Sequence, residues 1–210
     1  MVLRRLPPKE EVVEQIKNEQ LLARNSKEKR EIKIKEKERL ETAELIDLTP
    51  EKFQEKISRL ISHGEYKKAE KILIKMVSMY PRRGMYFALL GDVYSGGNNF
   101  ADALSAYREA AKRDPENGFL LCSLAEVYFK LKNYKDAAFY FDKSLFFNNK
   151  IAKRHAGLGN AYFKLNKLRL AERCFEQALS LEHHNSIYKR SLYKTRKLLD
   201  SHRKIKLLER

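Results

Sequence analysis

The chain has 210 residues and a formal net charge of +16, and 43% of its residues are hydrophobic, which is enough apolar material for a packed core. Gly and Pro are scarce, with 8 and 5 copies, so the composition indicates a mostly helical protein and excludes a β-sheet architecture. A chain this basic should favour acidic partners, whether nucleic acid, an anionic surface or acidic protein segments.

Residues 1–49 predict a charged helical arm. They contain twelve Lys or Arg and eleven Asp or Glu, and Glu–Lys pairs one turn apart support a helix. The apolar spacing fails between Ala23 and Ile32, which argues against a continuous coiled coil. Two alternatives stay open: a mobile charged helix, or an arm whose apolar part docks on a partner or on the rest of the chain, that part being Val12, Val13, Ile16, Leu21 and Leu22.

Residues 50–185 repeat with a period of 34 residues, most clearly from residue 84 onward. Each copy contains two helical stretches separated by a turn, for example at residues 96–98. Small residues recur where two helices must approach closely, and one hairpin alone could not bury its aromatic face, so the hairpins are predicted to stack. The sets in phase are Leu90, Leu124, Leu158; Gly91, Ala125, Gly159; Tyr94, Tyr128, Tyr162; Ala103, Ala137, Ala171; Tyr107, Phe141, Phe175; and Ala110, Ser144, Ala178.

This pattern resembles the tetratricopeptide repeat (TPR), whose signature is an aromatic residue, Leu-Gly and Tyr, then Ala, an aromatic residue, Ala and a closing Pro. Residues 84–117 match it with Phe87, Leu90, Gly91, Tyr94, Ala103, Tyr107, Ala110 and Pro115. The copies at 118–151 and 152–185 depart from it at Leu121, Ser144, Asn149, His155 and His183. A degenerate copy at 50–83 keeps Phe53, Ala69 and Pro81 in phase. The resemblance implies an all-α protein, an α-solenoid (TPR superhelix) of stacked helical hairpins.

The resemblance also implies that the first helices of the hairpins line a concave groove for a partner peptide or helix. The predicted groove residues are Ala88, Leu89, Asp92, Phe119, Cys122, Ser123, Glu126, Phe129, Lys153, Ala156, Asn160 and Phe163. The Phe side chains are predicted to be either exposed anchors or packed against a neighbouring hairpin or the capping helix. Some family members clamp the C-terminal carboxylate of chaperones. Only Lys153 fits that clamp here, so a co-chaperone of this type is disfavoured.

Residues 186–210 predict a basic capping helix, with nine Lys or Arg against two acids. The favoured interpretation is a solvating cap for the repeat array. The alternative function is an RNA- or ribosome-associated factor that contacts phosphates through a stripe of cations recurring every seven residues, namely Lys189, Arg196, Arg203 and Arg210.

No arrangement of residues typical of catalysis occurs, because the five His are scattered and Cys122 and Cys174 have no partner base or metal-ligand spacing. We therefore predict a non-enzymatic adaptor without a metal or cofactor, which holds one or more proteins. The two cysteines predict a reducing compartment, and the absence of a signal sequence or long apolar run predicts a cytoplasmic protein without membrane insertion. The oligomeric state is left open.

Overall fold

The computed structural model describes residues 9–22 and 26–208, and this part of the chain forms eleven α-helices and no strand. The chain divides into two compact units, residues 1–59 and 60–210. The all-helical architecture predicted from the low Gly and Pro content is therefore confirmed.

The first unit contains α1 (Lys9–Leu22), α2 (Ser26–Ile46) and most of α3 (Pro50–Ser62). Helices α1 and α2 contact each other. Val12 and Ile16 of α1 and Leu45 of α2 are buried, whereas Val13 is only half-buried. The side chains of Leu21 and Leu22 lie outside the described residues. The charged arm thus contains two helices with a small apolar seam, and whether it is mobile or docks on a partner stays a prediction.

The second unit is a stack of helical hairpins whose helices begin at intervals of 34 residues. After α3, the first helices are α5 (Gly84–Gly96), α7 (Gly118–Lys130), α9 (Ala152–Lys164) and α11 (Ser186–Leu208). The second helices are α4 (Tyr66–Met79), α6 (Phe100–Arg113), α8 (Tyr134–Phe147) and α10 (Leu168–Leu181). Helix α11 therefore starts in phase as the first helix of a further hairpin, although its sequence no longer carries the repeat signature.

The turn inside each hairpin has the same backbone conformation. Gly64, Asn98, Lys132 and Asn166 all have φ between 58° and 72°, a left-handed conformation that ends the first helix. In two copies the next residue caps the second helix: the Asn99 side chain accepts a hydrogen bond from the Asp102 amide, and Asn133 does the same for Asp136. Gly64 belongs to the degenerate copy at residues 50–83, which thus keeps the turn even where the Leu-Gly signature is lost.

The residues that repeat in phase form the core of the stack, as predicted. Ala103, Ala137 and Ala171 are fully buried, and the aromatic rings of Tyr107, Phe141 and Phe175 pack beside them with 3% exposure or less. Gly91 and Gly159 lie directly against two of these rings. The small residues therefore permit the close helix approach that the aromatic side chains fill.

The stack has an inner face lined by its first helices. Besides the contacts between neighbours in sequence, α7 approaches α9 directly, and α9 approaches α11. Helices that meet across an intervening hairpin partner lie on the inside of a curved array. The face shared by α7, α9 and α11 therefore lies on the inner side of this part of the stack, where the family resemblance implies a groove.

The close approach at Gly91 predicts a large stability effect for one methyl group. A Cβ at Gly91 would lie 2.6 Å from the Tyr107 ring, which is 3% exposed and has little room to move. We expect Gly91→Ala to lower the free energy of unfolding by about 1–3 kcal/mol in urea denaturation, although Ala normally favours a helix. Gly97→Ala is the control, because the nearest atoms there are 3.5 Å away. Equal stabilities for the two variants would contradict the packing at Gly91.

Candidate functional site

The structure places the predicted groove residues at different depths. Asp92, Phe119, Lys153 and Asn160 are exposed, and Phe119 retains 71% of its accessible surface. Half-buried side chains are Ala88, Ser123, Glu126, Phe129 and Phe163. Leu89, Cys122 and Ala156 are buried, so they support the surface of the groove more than they offer side chains to a partner.

One cavity brings five of the predicted residues together. Its volume is about 260 Å³, and its walls include Glu126, Phe129, Lys153, Ala156 and Asn160. Phe141 and Gly157 contribute to the same cavity from α8 and α9, Lys130 lines it from the end of α7, and Tyr188 lines it from α11. Sequence reasoning did not assign Lys130, Phe141 or Tyr188 to the site. The 34-residue phase gave no signal for Tyr188, because the residues in phase with it, Arg154 and Leu120, are buried core residues.

An ion pair crosses the rim of this cavity between α7 and α9. Lys153 Nζ lies 2.6 Å from Glu126 Oε1. The hydrogen bond from Lys153 to Glu126 raises the pKa of the lysine, which therefore stays charged. This pairing fixes one positive and one negative side chain at the mouth of an otherwise largely apolar cavity.

A second polar contact lies further toward α5. The Tyr107 hydroxyl donates a hydrogen bond of 2.6 Å to Asp92 Oδ1. Although Asp92 is exposed, the atoms packed around it in the groove reduce its hydration and raise the pKa of its carboxyl group, and the nearby Glu126 acts in the same direction. The α5–α7 part of the groove is therefore acidic, in a chain that is basic as a whole.

The aromatic groove residues differ in their contacts. The ring of Phe129 meets Tyr134 edge-on at a centroid distance of 5.3 Å, and Lys194 Nζ of α11 lies 5.5 Å from the centre of the Phe163 ring. Tyr134 belongs to the same hairpin as Phe129, whereas Lys194 belongs to the capping helix, so only Phe163 contacts one of the elements that the sequence analysis named. Phe119 is the exposed ring, and the guanidinium group of Arg154 lies 4.8 Å from its centre.

The thiol groups near the groove are poor candidates for nucleophiles. Burial raises the pKa of Cys122 to about 11, with Glu126 adding to the effect, and burial raises the pKa of Cys174 to about 11 as well. The thiolate is the reactive form of cysteine, so these thiols stay protonated at neutral pH. Within residues 9–22 and 26–208, no three His, Cys, Asp or Glu side chains gather as a metal site would require, and no helix is long and apolar enough to cross a membrane.

The predicted cationic stripe of α11 is partly engaged within the chain. Arg196 contacts Glu172 at 2.7 Å and Glu176 at 2.5 Å, both on α10, and Arg203 lies 3.5 Å from Asp200. Lys189 is exposed, and Arg210 lies outside the described residues. Lys189 and Arg196 are in phase with Phe87 and Tyr94, which pack against the hydrophobic core in the first clear copy. Polar residues replace that packing on α11 in the manner of a cap. RNA contact through this stripe stays a prediction.

A curved stack of helical hairpins with a partly apolar groove defines a helical-repeat scaffold. Tetratricopeptide-repeat family models match residues 58–115, 88–150 and 152–185. The chain belongs to the tetratricopeptide-repeat family, a class of protein-interaction adaptors.

Known relatives resemble part of this chain. RNA polymerase II-associated protein 3 of Xenopus tropicalis is 30% identical over 111 residues, which are 53% of this chain and 17% of that protein. RNA polymerase-associated protein CTR9 of Caenorhabditis elegans is 28% identical over 138 residues, 64% of this chain and 12% of that protein. The chain thus spans less than a fifth of these relatives. The first TPR domain of Spaghetti (RPAP3), solved with the HSP90 peptide SRMEEVD, is similar with 26% identity and a TM-score of 0.55, covering 56% of this chain and 94% of that domain.

Proposed function

We propose that this chain is a non-enzymatic adaptor of the cytoplasm that binds a peptide segment or helix of a partner protein in the groove of α5, α7 and α9. The observation that carries the proposal is the cavity that gathers Glu126, Phe129, Lys153, Ala156 and Asn160 on the inner face. Its largely apolar walls and charged rim are the features by which an interface anchors one side chain and orients the backbone around it.

The size of the cavity favours a side chain over a small-molecule ligand. Pockets for cofactors and drug-sized ligands have volumes of roughly 300–1,000 Å³. The cavity here has a volume of about 260 Å³ and opens onto the groove, so one large side chain of a partner fits while the rest of the segment lies along the first helices. This supports a macromolecular ligand and an adaptor role.

RNA polymerase II-associated protein 3 and CTR9 support a partner within a larger protein assembly. Because both relatives are RNA polymerase-associated proteins, an RNA polymerase complex is the assembly that we propose.

The Spaghetti domain was solved with an HSP90 peptide. In this chain the clamp positions carry Ala88, Asp92, Ser123 and Ala156, and only Lys153 suits a carboxylate. We expect a peptide that ends in EEVD to bind no more tightly with a free C-terminal carboxylate than with an amide.

Site-specific photocrosslinking tests the groove. Benzoylphenylalanine at the exposed position Asn160 should give crosslinks to a defined partner segment in nuclease-treated lysate, mapped by mass spectrometry, and excess unlabelled protein should compete them away. The same probe at Lys143, an exposed position on the second helix α8, is the control. Crosslinks that arise equally from Lys143, or that disappear after nuclease treatment, would contradict groove binding.

A further inference from the structure

The charge of the groove changes sign along the array. Asp92, Glu126, Asn160 and Lys194 are 34 residues apart and occupy the same position of α5, α7, α9 and α11. Along this row the side chains are two carboxylates, an amide and an ammonium group. The inner face is therefore acidic at α5 and α7 and basic at α11.

The capping helix extends the groove on its inner side. Ile187, Arg190 and Lys197 are in phase with Lys153, Ala156 and Phe163 of α9, and all three α11 side chains are exposed. The position of Lys194 Nζ over the Phe163 ring places this face of α11 beside the groove residues of α9. Lys189 and Arg196 belong to a different face, since Arg196 reaches α10.

Cations dominate this end of the groove. Helix α11 contributes Arg190, Lys194 and Lys197, and Lys130 lines the cavity from α7. No carboxylate occupies the corresponding groove positions of α9 or α11. Glu126 is the acidic residue at the cavity rim, and its pairing with Lys153 offsets its charge. A ligand with carboxylate groups is therefore complementary to this surface.

The cavity supplies an apolar anchor beside the cations. Phe129, Phe141 and Ala156 form apolar walls, and the Tyr188 ring adds a wall from α11. A volume of about 260 Å³ accommodates one aromatic or large aliphatic side chain. The capping helix thus takes part in the site in two ways, through an aromatic wall and through a row of positive charges.

We propose that the α9–α11 end of the groove binds an acidic segment of a partner protein, which inserts one large apolar side chain into the Tyr188 cavity and places carboxylates against Arg190, Lys194 and Lys197. This inference rests on the proposed groove function and names the chemistry of its partner. A protein segment fits better than RNA because an acidic segment can fill the apolar cavity with one side chain and also pair with the cations, whereas a phosphate backbone can only pair with the cations.

Fluorescence polarisation with defined peptides tests the proposal. The probe is a labelled, C-terminally amidated peptide of Glu, Asp and Gly with one central Trp. We expect the double change K194E/K197E to weaken its binding by at least about tenfold. The matched control is K189E/R203E, which makes the same change in charge on another part of the same helix and should weaken binding less than about threefold. Circular dichroism of both variants checks that the fold is retained.

A second measurement tests whether the Trp side chain of the peptide enters the cavity. Exchanging the central Trp for Ser should weaken binding to the unaltered protein about tenfold, and Tyr188→Ala should remove most of this preference. Tyr193→Ala is the control, because Tyr193 is 69% exposed on the same helix and does not line the cavity. A Trp preference that survives Tyr188→Ala unchanged would overturn the assignment of the cavity.

Four further outcomes would overturn the inference. Equal losses in the two charge-reversal variants would show a response to net charge alone. If an oligouridylate binds more tightly than the peptide, and K194E/K197E loses this binding, the cations belong to a nucleic-acid site. If a Lys-rich Trp peptide binds as well as the acidic one and position 160 still gives crosslinks, the acidic character of the partner is contradicted and groove binding stands. Absence of both peptide binding and crosslinking would remove groove binding as well.

Discussion

Replacing Arg154 with Ala is expected to lower the free energy of unfolding by about 3 kcal/mol, because it removes a large buried side chain together with the hydrogen bonds it donates. Arg154 is 1% exposed. Its Nη1 donates to the Ser144 carbonyl at 2.8 Å and to the Asn148 carbonyl at 3.2 Å. Both carbonyls lie at the end of α8, where the Ser144 carbonyl also accepts a hydrogen bond of 3.4 Å from the Asn148 amide, so Arg154 adds a second donor there.

Two further variants separate packing from hydrogen bonding at Arg154. Arg154→Met keeps most of the side-chain volume but removes the guanidinium donor from the Ser144 and Asn148 carbonyls, so a smaller loss of free energy of unfolding, about 1–2 kcal/mol, is expected. Arg173→Ala on the exposed surface of α10 should change stability by less than about 0.5 kcal/mol. Urea denaturation measures all three variants. A loss for Arg154→Ala no larger than that for Arg173→Ala would contradict a structural role for the buried arginine.

Arg154 also shows why part of the fold was predictable from sequence and part was not. The missing Pro at Asn149 was visible in the sequence. In the structure, side chains hold this turn: Arg154 donates a hydrogen bond to the Asn148 carbonyl, and His155 Nε2 lies 2.7 Å from the Asn149 carbonyl oxygen. A repeat signature records packing positions. It does not record which unique side chain compensates for a lost signature residue.

The hairpins and their core followed from the sequence because packing repeats. Close approach demands small residues such as Ala103 and Ala137 at fixed intervals, and the buried rings of Tyr107 and Phe141 recur with them. The depth of the groove residues did not follow. The exposure of Phe163 depends in part on Lys194 of α11, which the residues of one copy cannot reveal.

The role of α11 was the least visible feature of the sequence. Lys189 and Arg196 replace Phe87 and Tyr94 of the first clear copy, so the repeat signature ends at residue 185. The helix nevertheless begins in phase at Ser186 and contacts α9 and α10 as a first helix does. The repeat geometry therefore continues beyond the repeat sequence.

Removing residues 186–210 is expected to have the largest effect on the array. Helix α11 covers α10, and its Thr195 is fully buried while Leu192 and Leu199 are half-buried. The deletion exposes apolar surface on α10 and leaves Glu172 and Glu176 without Arg196. A stack without its polar capping helix is prone to associate. We therefore expect the free energy of unfolding to fall by on the order of 5 kcal/mol, or the protein to aggregate.

A shorter deletion provides the control. Ending the chain after Asp200 removes residues 201–210, of which 201–204 have exposed side chains, and it keeps Tyr188, Lys194 and Arg196. Thermal melting and gel filtration should show this variant folded and monodisperse, with a melting temperature within a few degrees of the full chain. An unchanged melting curve after deletion of residues 186–210 would mean that the array ends at α10. In that event the Tyr188 wall and the cations of α11 could not be integral parts of the groove, because a helix that the stack does not need would not hold them in place.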